Sequence, residues 1–84
     1  MEIIVLKFGG TSVGSTVSIS NVVNIIQKAS KEAFPVVVVS AMSGETNRLI
    51  DLARSFGSTP NKREFDALVS TGEKVSASLV AIAL

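Results

Sequence analysis

The chain of 84 residues contains no cysteine, no histidine, no tryptophan and no tyrosine. The absence of cysteine excludes a disulfide-stabilised scaffold, a catalytic thiol and a Cys/His zinc site. The absence of histidine excludes any mechanism that uses an imidazole as its base. Eight Lys and Arg residues stand against seven Asp and Glu residues, which leaves a net charge of +1. This balance, without a basic run, argues against nucleic acid as a partner.

Long hydrophobic runs are also missing, because no uninterrupted apolar stretch approaches the ~20 residues that cross a bilayer. The amino terminus has no basic segment before a hydrophobic core, and Lys7 interrupts the only candidate core of a secretory signal. We therefore expect no membrane association and a cytoplasmic location. Apolar residues are nevertheless abundant, at 46%, and the mean hydropathy is +0.48. A chain of this length forms at most one small domain. The high mean hydropathy therefore indicates that some of its apolar surface is covered by a partner or by the rest of a longer protein.

The hydrophobic pattern predicts the element order β-α-β-α-α. Residues 3–6 (IIVL) and 36–39 (VVVV) are continuous apolar runs, which are typical of parallel strands buried on both faces. The first helix is predicted to start at Ser15 or Thr16 and to be ended by Pro35. Two parallel strands joined by a helix form a right-handed crossover unit.

Two further helices follow in the prediction. The second begins after residues 41–44 (AMSG) and stops before Gly57, and the third begins at Asn61, which has the capping-box spacing to Glu64. We expect the buried face of the third helix to carry large apolar side chains around Gly72: Phe65, Leu68, Val69, Val75, Leu79 and Ile82. A two-stranded sheet leaves edges and faces uncovered. The pattern therefore indicates an α/β fold of which this chain is the first part, doubly wound when complete.

Lys7 and the glycines after it are the strongest indication of a functional site. Lys7 lies at the end of the first predicted strand, shortly before Gly9 and Gly10, and ligands of open α/β sheets bind beyond the carboxyl ends of the strands. Adjacent glycines let backbone amides approach an anion, and the following helix start adds partial positive charge. The residues alone leave two interpretations open: a phosphate site, or a strand-end lysine that extends to solvent above a glycine turn.

The second predicted strand repeats this arrangement with polar residues. Ser40 ends the strand, and Thr46 lies in the first turn of the helix that follows. Hydroxyl groups there suit a phosphate or a carboxylate, although ordinary helix capping by Ser43 explains the same pattern. Glu73 lies in the middle of the third helix, where a solvated charge is the ordinary interpretation.

Three stretches, taken in order, resemble the aspartokinase family. Residues 7–13 (KFGGTSV) match its amino-terminal signature, residues 39–49 (VSAMSGETNRL) resemble its second glycine loop, and residues 70–76 (STGEKVS) resemble its third motif. The resemblance implies the β-α-β-α-α start of a three-layer α/β/α amino-acid kinase fold with a mainly parallel sheet. It also implies the family's reaction, which transfers the γ-phosphoryl group of MgATP to the side-chain carboxylate of L-aspartate. The formation of the product, 4-phospho-L-aspartate, is the family's first step of lysine, threonine and methionine biosynthesis.

The resemblance also implies the phosphate-binding residues. By matching position, Lys7 would be the catalytic residue that neutralises charge on the transferring phosphoryl group, and Gly9, Gly10 and Ser12 would line the ATP phosphate crevice. This assignment is chemically consistent, because phosphoryl transfer depends on positioning and charge neutralisation. The resemblance implies no metal ligand among these residues. Mg²⁺ and ATP would therefore be held mainly by parts of the enzyme that this chain does not include.

The same match implies the substrate-binding residues. Ser40 and Thr46 would contact aspartate or the phosphoryl path, and Glu73 would hold the substrate's ammonium group. A carboxylate nucleophile is ionised at neutral pH, so the missing histidine is no obstacle.

Family members have several hundred residues, so residues 1–84 would form an incomplete amino-terminal part of the catalytic domain, without a regulatory domain. We expect the chain alone to be inactive, and we expect a homo-oligomer or association with the rest of the enzyme. Two alternatives are another amino-acid kinase, of the glutamate or acetylglutamate type, and a non-catalytic remnant that acts as an interaction module. The first alternative shares the Lys-Gly-Gly opening but usually lacks the full Thr-Ser-Val continuation.

Overall fold

A computed structural model describes residues 2–84. Its elements are β1 Ile3–Phe8, α1 Thr16–Ser30, β2 Phe34–Val39, α2 Glu45–Arg54 and α3 Lys62–Ala83. The strands β1 and β2 pair in parallel, in a register that places Ile3 opposite Phe34 and Phe8 opposite Val39. The predicted order β-α-β-α-α and the parallel pair are therefore confirmed. Over residues 2–84, no helix is long and apolar enough to cross a membrane.

Helix α1 begins where its cap predicts and ends earlier than predicted. Ser15 has extended backbone dihedrals, and its side chain accepts a hydrogen bond from the backbone N–H of Ser18 at 3.1 Å. The inward stripe of the helix is buried and consists of Ile19, Val22, Val23 and Ile26. The helix ends at Ser30, so the prediction that Pro35 ends it is wrong.

Pro35 is instead the second residue of β2, which begins two residues before the predicted start. The backbone N–H of Phe34 donates to the carbonyl oxygen of Glu2 at 2.8 Å. Because backbone groups alternate in direction along a strand, the nitrogen of Pro35 faces away from β1 and removes no hydrogen bond between the strands. Proline is therefore tolerated at this position.

Only one face of the sheet is buried. Phe8 of β1 and Val80 of α3 join the inward stripe of α1 in a single core, so α1 and α3 lie on the same face. The other face, here named the open sheet face, consists of six exposed residues: Ile3, Val5, Lys7, Phe34, Val36 and Val38. Within residues 2–84 this face is uncovered, as expected for a two-stranded sheet, because α2 packs on α3 rather than on the sheet.

Helix α3 buries its small residues rather than its large ones. Gly72, Ser76 and Val80 are buried at intervals of four residues, whereas Val75 and Ile82 are 47% and 80% exposed. The predicted face is therefore wrong at Val75 and Ile82, whereas Leu79 packs against the core as predicted. Small side chains at Gly72 and Ser76 let the helix backbone approach its neighbours closely, and the buried hydroxyl of Ser76 donates to the carbonyl oxygen of Gly72 at 3.3 Å.

The starts of α2 and α3 differ in how they are capped. Gly44 precedes α2 with φ 81°, a conformation that favours glycine, and no side chain caps this helix. The capping role considered for Ser43 is therefore not found. The side chain of Asn61 accepts hydrogen bonds from the backbone N–H groups of Arg63 and Glu64 at 3.0 and 3.4 Å, so the predicted cap of α3 is confirmed.

Candidate active site

The segment between β1 and α1, residues 9–15, forms the first glycine loop. The backbone N–H of Val13 donates to the carbonyl oxygen of Gly9 at 3.3 Å, and that of Gly14 donates to Thr11 at 3.2 Å. The side chain of Val13 is fully buried. The loop is therefore a compact turn anchored in the core, while open space remains around the Cα of Gly9.

The segment between β2 and α2, residues 40–44, forms the second loop and lies directly against the first. The backbone N–H of Ser40 donates to Phe8 at 3.0 Å, and that of Ser43 donates to the carbonyl oxygen of Gly10 at 3.1 Å. A Cβ atom on Gly10 would lie 2.9 Å from the carbonyl oxygen of Ala41. A carbon atom and a carbonyl oxygen do not approach each other so closely without displacement. The absence of a Cβ atom at Gly10 therefore permits this contact. The two loops form one surface at the carboxyl edge of the sheet.

Helix α3 reaches the same second loop through Gly72. A Cβ atom on Gly72 would lie 2.9 Å from the Cβ of Ala41 and 3.5 Å from Cδ1 of Leu49. Ala41 is buried, with Gly10 packed on its carbonyl oxygen and Gly72 packed on its Cβ. All three stretches that the sequence analysis singled out meet at this alanine. Sequence reasoning missed Ala41, because an alanine within a loop has no distinctive pattern until its neighbours in space are known.

The predicted phosphate-binding residues lie on the first loop and beside it. Lys7 is inside β1, one residue before its end, and is exposed on the open sheet face. Gly9 and Gly10 follow directly, and Gly10 is the residue in contact with the second loop. Ser12 is exposed and lies toward α1, where it lines a surface cavity of about 230 Å³ with Asn21. The structure thus brings Lys7 and the two glycines to one edge and places Ser12 on the α1 side of it.

The predicted substrate-binding residues lie on the second loop, on α2 and on α3. Ser40 is half-buried and immediately precedes Ala41, and Thr46 is half-buried in the first turn of α2. Glu73 is exposed and immediately follows Gly72. The ion pairs found within residues 2–84 involve neither Lys7 nor Glu73.

One ion pair beside the second loop has no counterpart in the sequence analysis. In the first turn of α2, Nε of Arg48 donates to Oε2 of Glu45 at 3.0 Å, and Nη2 donates to Oε1. The hydrogen bonds from Arg48 lower the pKa of Glu45 below its usual 4.5. The aliphatic part of the Glu45 side chain also packs near Gly72. A Cβ atom on Gly72 would lie 3.7 Å from Cγ of Glu45. In the sequence, the signal for this ion pair was the spacing of three residues between Glu45 and Arg48 on a predicted helix.

Comparisons with known proteins identify a matching family, relatives with similar sequences and a solved structure with the same fold. The model of the amino acid kinase family matches residues 2–84. An aspartate kinase of Stutzerimonas stutzeri (strain A1501) is 54% identical over 85 aligned positions, which cover all of this chain and 21% of the relative. An aspartokinase of Geobacillus stearothermophilus is 52% identical with the same coverage. The crystal structure of aspartate kinase from Synechocystis superposes with a TM-score of 0.94 at 46% identity, covering 100% of this chain and 14% of that one.

These similarities extend over the whole chain, and they confirm the resemblance and the α/β fold class that the three motifs indicated. The chain spans about a fifth of the length of the curated relatives it matches. The match of the family model to nearly every residue leads to one conclusion: the chain belongs to the amino acid kinase family.

Proposed function

We propose that these residues form the amino-terminal part of the catalytic domain of an aspartokinase. The enzyme transfers the γ-phosphoryl group of MgATP to the side-chain carboxylate of L-aspartate in the cytoplasm, as the first step toward lysine, threonine and methionine. One observation carries the proposal: Ala41 contacts both Gly10 and Gly72, which gathers the three family-like stretches at one edge of the sheet. The names of the relatives support the choice of aspartate as substrate.

The first loop provides the phosphate side of the proposed site. The ammonium group of Lys7 neutralises negative charge on the transferring phosphoryl group, and such stabilisation is a main contribution to catalysis of this reaction. The backbone of Gly9 and Gly10, with the hydroxyl of Ser12, lines the crevice for the ATP phosphates. Within residues 2–84, no group of three His, Cys, Asp or Glu side chains could hold a metal ion. We assign no magnesium ligand to these residues, and Mg²⁺ enters as part of the MgATP substrate.

The second loop and α3 provide the aspartate side. The hydroxyl groups of Ser40 and Thr46 donate to a carboxylate of the substrate, and the carboxylate of Glu73 accepts from its ammonium group. The attacking carboxylate is already ionised at neutral pH and needs no base. The absence of histidine is therefore compatible with this chemistry.

A segment exchange tests the proposal. The matching segment of the Stutzerimonas stutzeri relative is replaced by these 84 residues to give the exchange enzyme, and the unaltered relative is the control. ADP release is measured with MgATP and either L-aspartate or L-glutamate. We expect turnover that depends on aspartate and is absent with glutamate. A folded exchange enzyme that releases ADP with glutamate but not with aspartate would contradict the proposal and favour a different amino-acid kinase.

A further inference from the structure

We infer that Ala41 and Gly72 form a positioning pair that sets the geometry of the aspartate site. The inference rests on the proposed function, in which Ser40 and Thr46 bind aspartate from one side and Glu73 binds it from the other. Neither Ala41 nor Gly72 touches the substrate in this account. They act by fixing the distance between the elements that do.

The packing at this contact leaves no spare volume. A Cβ atom on Gly72 would lie 2.9 Å from the Cβ of Ala41, whereas carbon atoms in ordinary contact are about 3.5–4.0 Å apart. Any side chain at Gly72 therefore moves α3 and the second loop apart by roughly 0.6 Å or more. The methyl group of Ala41 has no further rotatable bond, so it cannot turn aside to relieve the overlap.

The proposed aspartate-binding residues follow this displacement because each adjoins one member of the pair. Ser40 is the chain neighbour of Ala41, and Glu73 is the chain neighbour of Gly72. The two residues therefore move with the two sides of the contact. A misplacement of the order of 1 Å in a positioned site is enough to cost up to about 100-fold in rate.

The first glycine loop is coupled to this contact through the backbone of the second loop rather than through the methyl group of Ala41. The backbone N–H of Ser43 donates to the carbonyl oxygen of Gly10 at 3.1 Å, and Gly10 packs on the carbonyl oxygen of Ala41. Gly72, by contrast, packs on the Cβ of Ala41. Displacement of α3 therefore affects aspartate binding more than ATP binding.

The test is a size exchange across the contact, made in the exchange enzyme. Gly72→Ala adds a methyl group, Ala41→Gly removes one, and the double variant restores the total volume. Ala33→Gly, at the opposite end of β2, is the matched control for removing a methyl group outside a helix. The KM for aspartate, the KM for MgATP, kcat and Tm are measured for each variant.

We expect Gly72→Ala to raise the KM for aspartate about tenfold or more and to change that for MgATP less than about twofold. Combination with Ala41→Gly restores the aspartate KM, and combination with Ala33→Gly does not. Ala41→Gly alone, which only opens a gap, raises the aspartate KM by a smaller factor and provides a readout should Gly72→Ala not fold.

Three results would overturn the inference. They are an unchanged aspartate KM in Gly72→Ala, equal increases in both KM values, and an increase that Ala41→Gly does not reverse. Failure of the proposed function is distinguishable, because it appears as an unsubstituted exchange enzyme with no turnover of aspartate. In that case the steric claim is still decided by Tm: because alanine is the better helix former, Gly72→Ala lowers Tm only if the overlap is real.

Discussion

Lys7 lies directly opposite Val38 in the parallel sheet, on the open sheet face that neither α1 nor α3 covers. It is the one charged residue among the six that form this face within residues 2–84. Its position one residue before the end of β1 places its side chain at the edge where the two loops meet. An ammonium group at the end of an apolar strip is available to an anion that enters at this edge.

The first prediction concerns this lysine. In the exchange enzyme, Lys7→Ala is expected to lower kcat about 100-fold or more, because it removes a charge that stabilises the transition state. Tm changes little, because the side chain is exposed. Lys31→Ala, at the exposed end of α1, is the control and retains normal kcat. A Lys7→Ala variant with near-normal kcat would remove the catalytic role assigned to Lys7.

The second prediction concerns Glu73. Substitution by glutamine removes the negative charge that we propose binds the substrate's ammonium group, so the KM for aspartate is expected to rise about tenfold or more. The KM for MgATP stays within about twofold, since Glu73 lies on the aspartate side of the proposed site. Asp66→Asn, an exposed acidic position on the same helix, is the control. Equal increases in both KM values would indicate a structural role for Glu73 instead.

The third prediction is a pH dependence of stability. The hydrogen bonds from Arg48 hold the pKa of Glu45 below 4.5 in the folded state. A depressed folded pKa stabilises the protein fully above the unfolded value, and this stabilisation is lost as the pH falls through the folded pKa. We expect Glu45→Gln to lower Tm slightly at about pH 7, and we expect this difference to decrease as the pH falls below 4.5 and through the lowered folded pKa.

Thermal unfolding of the exchange enzyme and its variants at a series of pH values measures this difference. Glu64→Gln is the control, because Glu64 lies 3.8 Å from Nε of Arg63 in a pair that is exposed on both sides. A Tm difference for Glu45→Gln that does not decrease as the pH falls below 4.5 would contradict the assignment of the effect to ionised Glu45.

The fourth prediction concerns the isolated 84-residue chain, which is expected to associate in solution and to show no turnover of aspartate. Val5 and Val36 lie opposite each other on the open sheet face and are 64% and 41% exposed. Large exposed apolar patches and free strand edges favour association. Substitution of both valines by threonine keeps their shape and adds hydroxyl groups, so association decreases.

Light scattering measures the mass of the chain and its variants in solution. Val17→Thr makes the same chemical change on α1, where the side chain is 73% exposed and lies away from the sheet. This control variant should associate as the unsubstituted chain does. A stable monomer with aspartate-dependent release of ADP would contradict both halves of the prediction.

The sequence predicted the local features of the fold and failed where the outcome depended on packing. The caps at Ser15 and Asn61 were predictable, because a cap involves only residues within three positions along the chain. The effect of Pro35 depends on which way its backbone nitrogen faces, and the pairing with β1 sets that direction. The sequence placed Gly72 on the buried face of α3, which the structure confirms, but it also placed Val75 and Ile82 there, and these side chains are exposed.

The candidate site shows the same division. The sequence identified Gly10, Ser40 and Glu73 as members of three separate stretches, because residue type and order along the chain carry that information. Their convergence depends on Ala41, which neither composition nor periodicity distinguishes. The distances from Gly10 and Gly72 to Ala41 show that this one buried residue connects the three stretches.

The most direct test of the central claim is identification of the product. The exchange enzyme is incubated with MgATP, L-aspartate and hydroxylamine, which converts an acyl phosphate into a stable hydroxamate, and the hydroxamate is identified by mass spectrometry and NMR. The account predicts the side-chain hydroxamate of aspartate, formed in an amount equal to the ADP released and strongly reduced in Lys7→Ala. Release of ADP without any hydroxamate, or a hydroxamate on the α-carboxyl group, would contradict it.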